Sequence, residues 1–296
     1  MPASVLHDRS PGVATRARYA VIGDPVEHSL SPRLFALLFD WLQVDASYEA
    51  LRVPREQLPA VLGRIRAGEL DGVSVTLPLK ELVARHVDQR SPAAEQIGAV
   101  NCLCRARRAQ DGQLDLVGHN TDWQGIARSL ERAGVLRAGM RVVLLGAGGA
   151  ARAVIPALQA HAPRSLLVAN RTAERAQTLT RELGLGTAVP LDDSLAAAIA
   201  SADLLINATS VGLRDVNADP LPAGCRLQPD QAVLDLVYRP LRTALLQRAQ
   251  AAGCTTIDGL WVLVDQALAQ AELWLGRSLP DALAARLHDA LAPEAR

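Results

Sequence analysis

The sequence predicts an α/β protein of two domains, and three observations predict it. Short apolar strands alternate with amphipathic helices along most of the chain, the pattern of sheets covered by helices. One bare apolar strand, residues 141–145, runs straight into a glycine-rich turn and then a helix. The 296 residues exceed what one core usually serves, and apolar residues make up 49% of them, enough for a core in each half.

The elements follow in order. Residues 18–23 (RYAVIG) read as a strand ending in glycine, 24–32 as a polar loop, and 33–43 as an amphipathic helix. Residues 47–53 alternate like a strand, 54–67 have helical period, and 72–75 are strand again. Short helices are expected at 80–87 and 93–97, then strands at 99–105 and 113–117 that pair as a hairpin. A helix runs from Asp122 to about Ala133. After the strand at 141–145 come the glycine turn, a helix to Leu158 and a second strand at 165–169. Further strands are expected at 203–206, 232–236 and 255–257, with alanine-rich helices between them, and the chain is helical from Trp261. The division is a flexible tail at 1–17, a first domain at 18–118, a second at 119–258, and C-terminal helices at 259–296 that return to the first.

Composition excludes several classes. Basic and acidic residues balance at 31 each, so nothing in the charge argues for nucleic acid or an anionic membrane. No apolar run reaches the roughly 18 residues of a membrane span. The first 17 residues lack the apolar stretch of a secretory signal. The 4 cysteines have no zinc-ribbon spacing and read as reduced thiols of a cytoplasmic protein without a metal site.

The basic residues hold a sharper signal: all are arginine except Lys80. A GC-rich coding bias would replace lysine by arginine wherever either serves. Arginine cannot serve where a basic group must gain and lose a proton, because guanidinium stays charged. Lys80 is therefore a candidate proton donor and acceptor.

Gly146-x-Gly148-x-x-Ala151 fits the dinucleotide fingerprint in its alanine-ending form, with a strand before it and a helix after it. Gly146, Ala147, Gly148, Gly149 and Ala150 are the candidate phosphate-binding residues, since free N–H groups at the helix start favour an anion. At the end of the second strand an NAD enzyme usually has an acidic residue for the ribose hydroxyl. This chain has Asn170, Arg171 and Thr172 there, which suit a 2′-phosphate, so the expected cofactor is NADP. A plain surface turn is the bland alternative.

Three loops leave strand ends, where ligands bind in α/β sheets. In the first, Ser29 and Ser31 can hold a carboxylate, although Ser31 followed by Pro32 also reads as a helix cap. His28 beside them reads as structural. The second carries Thr76 and Lys80; Asn101 closes the third. Asp122 can help orient polyol hydroxyls, or can simply favour a helix start.

Together these motifs resemble the shikimate dehydrogenase family, from about Arg18 to the C-terminal helices. The paired-serine motif is Ser29-Leu30-Ser31-Pro32, the Val-Thr-x-Pro-x-Lys motif is Val75 to Lys80, and the Val-Asn motif is Val100-Asn101. Asn120-Thr121-Asp122, Gly146 to Gly149, Asn170 to Thr172, the Asn207 to Gly212 loop, Asp235 to Tyr238 and Gln266 continue the series. The resemblance implies a substrate-binding domain, a Rossmann domain holding NADP, and a reaction in the cleft between them. It implies reversible reduction of 3-dehydroshikimate to shikimate with NADPH, a step toward aromatic amino acids. Lys80 and Asp122 are the implied catalytic pair. Ser29, Ser31, Thr76, Asn101, Tyr238 and Gln266 are the implied substrate residues. Thr209, Val237 and Gly259 join the cofactor set. The expected partner is a small molecule, with the protein a cytoplasmic monomer or homodimer. Four features depart from the family pattern: Phe35-Ala36 in place of His-Asn, Ser74 for Asn, Cys102 for Thr, and Val262 and Val264 where Met is frequent. They raise quinate, or another altered substrate, as the alternative.

Overall fold

The computed structural model describes residues 16–108 and 111–295; the expected tail at 1–17 lies, up to position 15, outside the described residues. The chain forms two compact units. The first comprises the residues up to Thr121 together with Ala267–Leu287, and the second comprises Asp122–Gln266 with the residues from His288 onward. The dividing point Gln266/Ala267 falls inside one helix, rather than at its start near residue 259.

The first unit is built on a mixed sheet. Its strands are β1 (Ala17–Gly23), β2 (Ala46–Arg52), β3 (Gly72–Val75), β4 (Gln89–Arg90), β5 (Cys102–Arg107) and β6 (Leu114–His119). Their spatial order is β2-β1-β3-β5-β6-β4. β1 pairs in parallel with β2 and β3, whereas β5 pairs antiparallel with β3 and β6. The hairpin of β5 and β6 thus turns an otherwise parallel sheet mixed. Residues 99–101, expected as strand, precede β5 and still share backbone bonds: Val75 N–H donates to Asn101 O at 2.8 Å.

Helix α1 (Ser31–Trp41) buries Leu34, Phe35, Leu38 and Phe39, the stripe its periodicity predicts. Its start differs from the sequence reading. Leu30 is the cap position and Ser31 is already helical; the Ser29 hydroxyl accepts the Ser31 N–H at 3.2 Å. α2 (Leu58–Arg66), α3 (Lys80–Ala84) and α4 (Pro92–Ile97) complete the crossovers. Ser91 caps α4 through its side chain, and Gly98 ends it in the left-handed region. One face of the sheet carries aliphatic residues such as Ile22, Val73 and Leu103, and Leu62 of α2 joins them in one core. Each contributes about 1.5–3 kcal/mol by leaving water.

The second unit has six parallel strands: β7 (Arg141–Leu145), β8 (Ser165–Asn170), β9 (Thr187–Pro190), β10 (Leu204–Asn207), β11 (Ala232–Asp235) and β12 (Thr255–Ile257). Their order is β12-β11-β10-β7-β8-β9, the doubly wound order with its switch point between β7 and β10. The covering helices are α5 (Asp122–Arg132), α6 (Gly149–Gln159), α7 (Ala173–Leu183), α8 (Ala196–Ser201) and α9 (Ala244–Ala251). α10 (Gly259–Leu275) and α11 (Ala282–Leu291) close the chain. Gly125 lets α5 approach the first half of α10 closely: a Cβ there would lie 2.6 Å from Val262 O and 2.8 Å from Gln266 Cβ. Arg132 reinforces this packing, pairing with buried Asp265 at 2.7 Å and lying over the Trp261 ring at 4.9 Å.

Candidate active site

In the first unit the candidates gather at the C-terminal ends of β1 and β3. Gly23 ends β1 against Thr76, and a Cβ at Gly23 would lie 2.4 Å from Thr76 Cγ2. Only glycine allows the two loops this approach. Ser29 and Ser31 follow β1; Ser31 is buried and Ser29 half-buried. Nearby, Glu27 has its carboxyl held below the usual range by its own backbone N–H and that of Val26. Lys80 is half-buried as the first residue of α3, and its carbonyl accepts the Val100 N–H at 3.0 Å. That bond ties the lysine's backbone to the segment carrying Asn101.

Asn101 is buried and locked. Its Oδ1 accepts the Thr121 N–H at 2.7 Å and its Nδ2 donates to Thr121 Oγ1 at 3.0 Å. A second polar group lies behind it: Tyr48 donates to Ser74 Oγ at 2.7 Å, Ser74 donates to Gln270 Oε1 at 2.5 Å, and Gln270 donates to Asn101 O at 3.3 Å. Tyr48 and Gln270 escaped the sequence reading because their partners lie 26 and 196 positions away from them.

In the second unit the candidates line the C-terminal ends of the parallel strands, where the topology puts a ligand. Gly146 follows β7 at φ +103°, and a Cβ there would sit 3.0 Å from the Ala208 carbonyl carbon and oxygen. Glycine is thus demanded by both conformation and packing at the switch point. Gly148 and Gly149 differ: an added Cβ would meet nothing within 4 Å at either. The protein's own packing does not require glycine at the start of α6. Close approach by a ligand would require it, which suits a dinucleotide's phosphates. Ala147 and Ala150 complete that turn.

Asn170 ends β8, and its Nδ2 donates to Thr172 O at 2.8 Å, holding the turn. Arg171 is exposed, and Arg175 is exposed on the first turn of α7. Neither makes an ion pair among the described residues. Arg175 is a candidate the sequence reading missed; its signal is a second arginine one helical turn beyond Arg171.

A buried carboxylate organises the remaining loops. Asp235 accepts from Asn207 Nδ2 at 2.8 Å, from Val237 N at 3.0 Å and from Thr243 Oγ1 at 2.7 Å. Burial pushes its pKa up, and those three bonds pull it partly back. Asn207 Oδ1 in turn accepts from the Thr209 N–H at 3.0 Å and from Thr209 Oγ1 at 2.7 Å. Thr209 and Val237 are therefore shaped from one buried centre. Gly259 packs on the same strand end, where a Cβ would lie 2.6 Å from Leu236 O. Tyr238 is half-buried, and burial raises its phenol pKa. Asp122 opens α5, and Gln266 bonds back to Leu263 O at 2.8 Å. Asp122, Tyr238 and Gln266 thus belong to the second unit, and Ser29, Ser31, Thr76, Lys80 and Asn101 to the first.

Comparison with known proteins gives this arrangement a context. Residues 21–103 match the shikimate dehydrogenase substrate binding domain, and residues 130–233 match the shikimate / quinate 5-dehydrogenase family. A shikimate dehydrogenase (NADP(+)) from Thermus thermophilus is 45% identical over 265 residues, covering 89% of this chain and 94% of the relative. The crystal structure of shikimate 5-dehydrogenase from Thermus thermophilus, solved with NADP(H) and shikimate, is 40% identical. It matches with a TM-score of 0.82 over 95% of this chain and all of that one. A ligand-free 5-ketofructose reductase from Gluconobacter is 33% identical, with a TM-score of 0.81 over 94% of this chain and all of that chain. Matched on both units, over nearly its whole length and at such identity, the chain belongs to the shikimate dehydrogenase family.

Proposed function

We propose that this protein reduces 3-dehydroshikimate to shikimate with NADPH, reversibly, as a cytoplasmic enzyme of aromatic amino acid biosynthesis. The observation that carries the reading is the chain's only lysine, Lys80, set at a strand end and tied through its carbonyl to the Asn101 segment. The substrate's carboxylate would bind at Ser29 and Ser31, and its ring hydroxyls at Asn101, Thr76, Tyr238 and Gln266. Lys80 would exchange the proton of the reacting hydroxyl, with Asp122 as its partner.

NADP would be held by the Gly146 to Ala150 turn, Thr209, Val237 and Gly259. Asn170, Arg171, Thr172 and Arg175 would receive the 2′-phosphate. The open space at Gly148 and Gly149 and the two exposed arginines support that fit. When bound, the cofactor supplies or accepts the hydride. The chain's own residues orient the ring and manage one proton.

A second reading, quinate as the preferred substrate, is favoured by the departures at Phe35, Ser74 and Cys102. The direct test is reduction of 3-dehydroshikimate by NADPH with purified protein, followed by loss of the reduced cofactor's absorbance. Turnover supports the assignment, and an inert protein refutes it.

A further inference from the structure

Three departures from the family pattern surround one side chain, Tyr48. Phe35 stacks on its ring, with centroids 4.2 Å apart and planes 8° from parallel. Ser74 accepts its proton at 2.7 Å, and the Cys102 thiol neighbours it. Strand register accounts for the meeting: Tyr48 on β2 pairs with Tyr19 of β1, and Ser74 on β3 pairs with Val21. Both therefore lie on the same face of the sheet, on either side of β1. The fourth neighbour is Ser31, which opens the helix carrying Phe35, lies one turn before it on the same helix face, and is close enough to the phenol to oppose the effect of burial on it.

A hydroxyl has one proton and two lone pairs. Ser74 gives its proton to Gln270 Oε1, and Gln270 gives its own to Asn101 O. The Tyr48 proton thus has two acceptors within reach, Ser74 Oγ and Ser31 Oγ. With no anion present, Ser31 can donate to Tyr48 and Tyr48 to Ser74. When the Ser31 hydroxyl instead donates to a carboxylate, its lone pairs are left to accept from Tyr48.

We propose that Tyr48 is a positioning residue that switches its proton from Ser74 to Ser31 when a carboxylate binds, so that a Tyr48–Ser31–carboxylate chain of hydrogen bonds tightens binding of the anion. Hydroxyls in series polarise one another, so Ser31 donates more strongly when it accepts from Tyr48. Burial keeps the phenol protonated, as a donor must be. The inference rests on the reading that Ser31 holds the substrate carboxylate. It adds a determinant of substrate affinity that does not touch the substrate.

The test is a kinetic cycle with Tyr48→Phe, Ser31→Ala and the double variant, measuring shikimate oxidation with NADP. Phenylalanine keeps the stack on Phe35 and removes only the hydroxyl. Tyr48→Phe is expected to raise KM for shikimate about 3- to 10-fold, as for a lost hydrogen bond between neutral groups. It should leave KM for NADP unchanged and kcat within about threefold. In the Ser31→Ala background the same change is expected to add less than about twofold, because the link is already cut.

Ser74→Ala keeps the idea testable if Tyr48→Phe folds poorly, because it must not raise KM. With Ser74 gone, Ser31 is the remaining acceptor, so KM for shikimate should fall or stay level. Equal effects of Tyr48→Phe in both backgrounds, or a raised KM in Ser74→Ala, would overturn the switch alone. A wild-type protein that does not oxidise shikimate would overturn the proposed activity and this inference with it.

Discussion

Thirty of the chain's 31 basic side chains are guanidinium groups that hold their protons at any working pH. Lys80 is the exception, and its exchange for alanine is expected to lower kcat by about 10²–10⁴ with little change in KM for NADP. Lys80→Arg keeps the charge and should be comparably slow; near-normal kcat in either variant would remove the lysine from the proton transfer. Arg171→Ala is expected to raise KM for NADP about 10- to 100-fold, the worth of a charge-assisted hydrogen bond, and to leave KM for NAD nearly unchanged. Equal effects on both cofactors would mean that Arg171 does not read the 2′-phosphate. At this scale the sequence revealed residues that chemistry makes conspicuous: a lone lysine, paired serines, an arginine where an acid is usual. The Tyr48–Ser74–Gln270 chain, and separately the bond from Asn207 to Asp235, were not legible, because they join segments distant in the chain.

At the scale of elements, the glycine turn divides into two kinds of position. Gly146→Ala forces a side chain into φ +103° and against the Ala208 carbonyl. It is expected to destabilise the protein by about 1–3 kcal/mol. Gly148→Ala meets open space, so stability should stay within about 0.5 kcal/mol while KM for NADP rises. Thermal unfolding beside cofactor kinetics separates the two, and a destabilised Gly148→Ala protein with normal cofactor affinity would mean that Gly148 serves the fold rather than the cofactor. Most strands and helices were legible because apolar period and turn chemistry agree along them. Two strands were not. β4 is only Gln89–Arg90, polar and exposed, and is recruited by β6 rather than by any pattern of its own. β9 is an edge strand of four residues ending in Pro190, with no fully buried side chain to set a period. α1 also starts at Ser31, two residues before the expected 33, with Leu30 rather than Ser31 at the cap position and the Ser29 hydroxyl accepting the Ser31 N–H.

For the molecule as a whole, stability against pH is set by buried and bridged carboxylates of opposite tendency. Asp203 joins the starts of β7 and β10 by binding the Arg141 N–H at 2.7 Å and the Arg141 and Arg137 guanidiniums. Its pKa is lowered to about 2, chiefly by the side-chain bond from Arg141. A depressed carboxylate stabilises the fold above its unfolded pKa of about 3.9 and loses that contribution as pH falls toward 2. Asp203→Asn should therefore cost about 1–2 kcal/mol at pH 6 and less at pH 3, read by denaturant unfolding. An equal cost at both pH values would mean that the ion pairs do not carry the effect. Asp235 works the other way. Its raised pKa makes its charge a standing cost above the ordinary carboxylate range, offset by the bonds that shape Thr209 and Val237.

Initial rates of oxidation decide substrate and cofactor together: shikimate against quinate, each with NADP and with NAD, followed by the absorbance of the reduced cofactor. The kcat/KM for shikimate with NADP is expected to lie well above the other three combinations. Comparable values with quinate would show that the surroundings of Phe35, Ser74 and Cys102 admit the extra hydroxyl, and comparable values with NAD would contradict the role given to Asn170, Arg171 and Thr172.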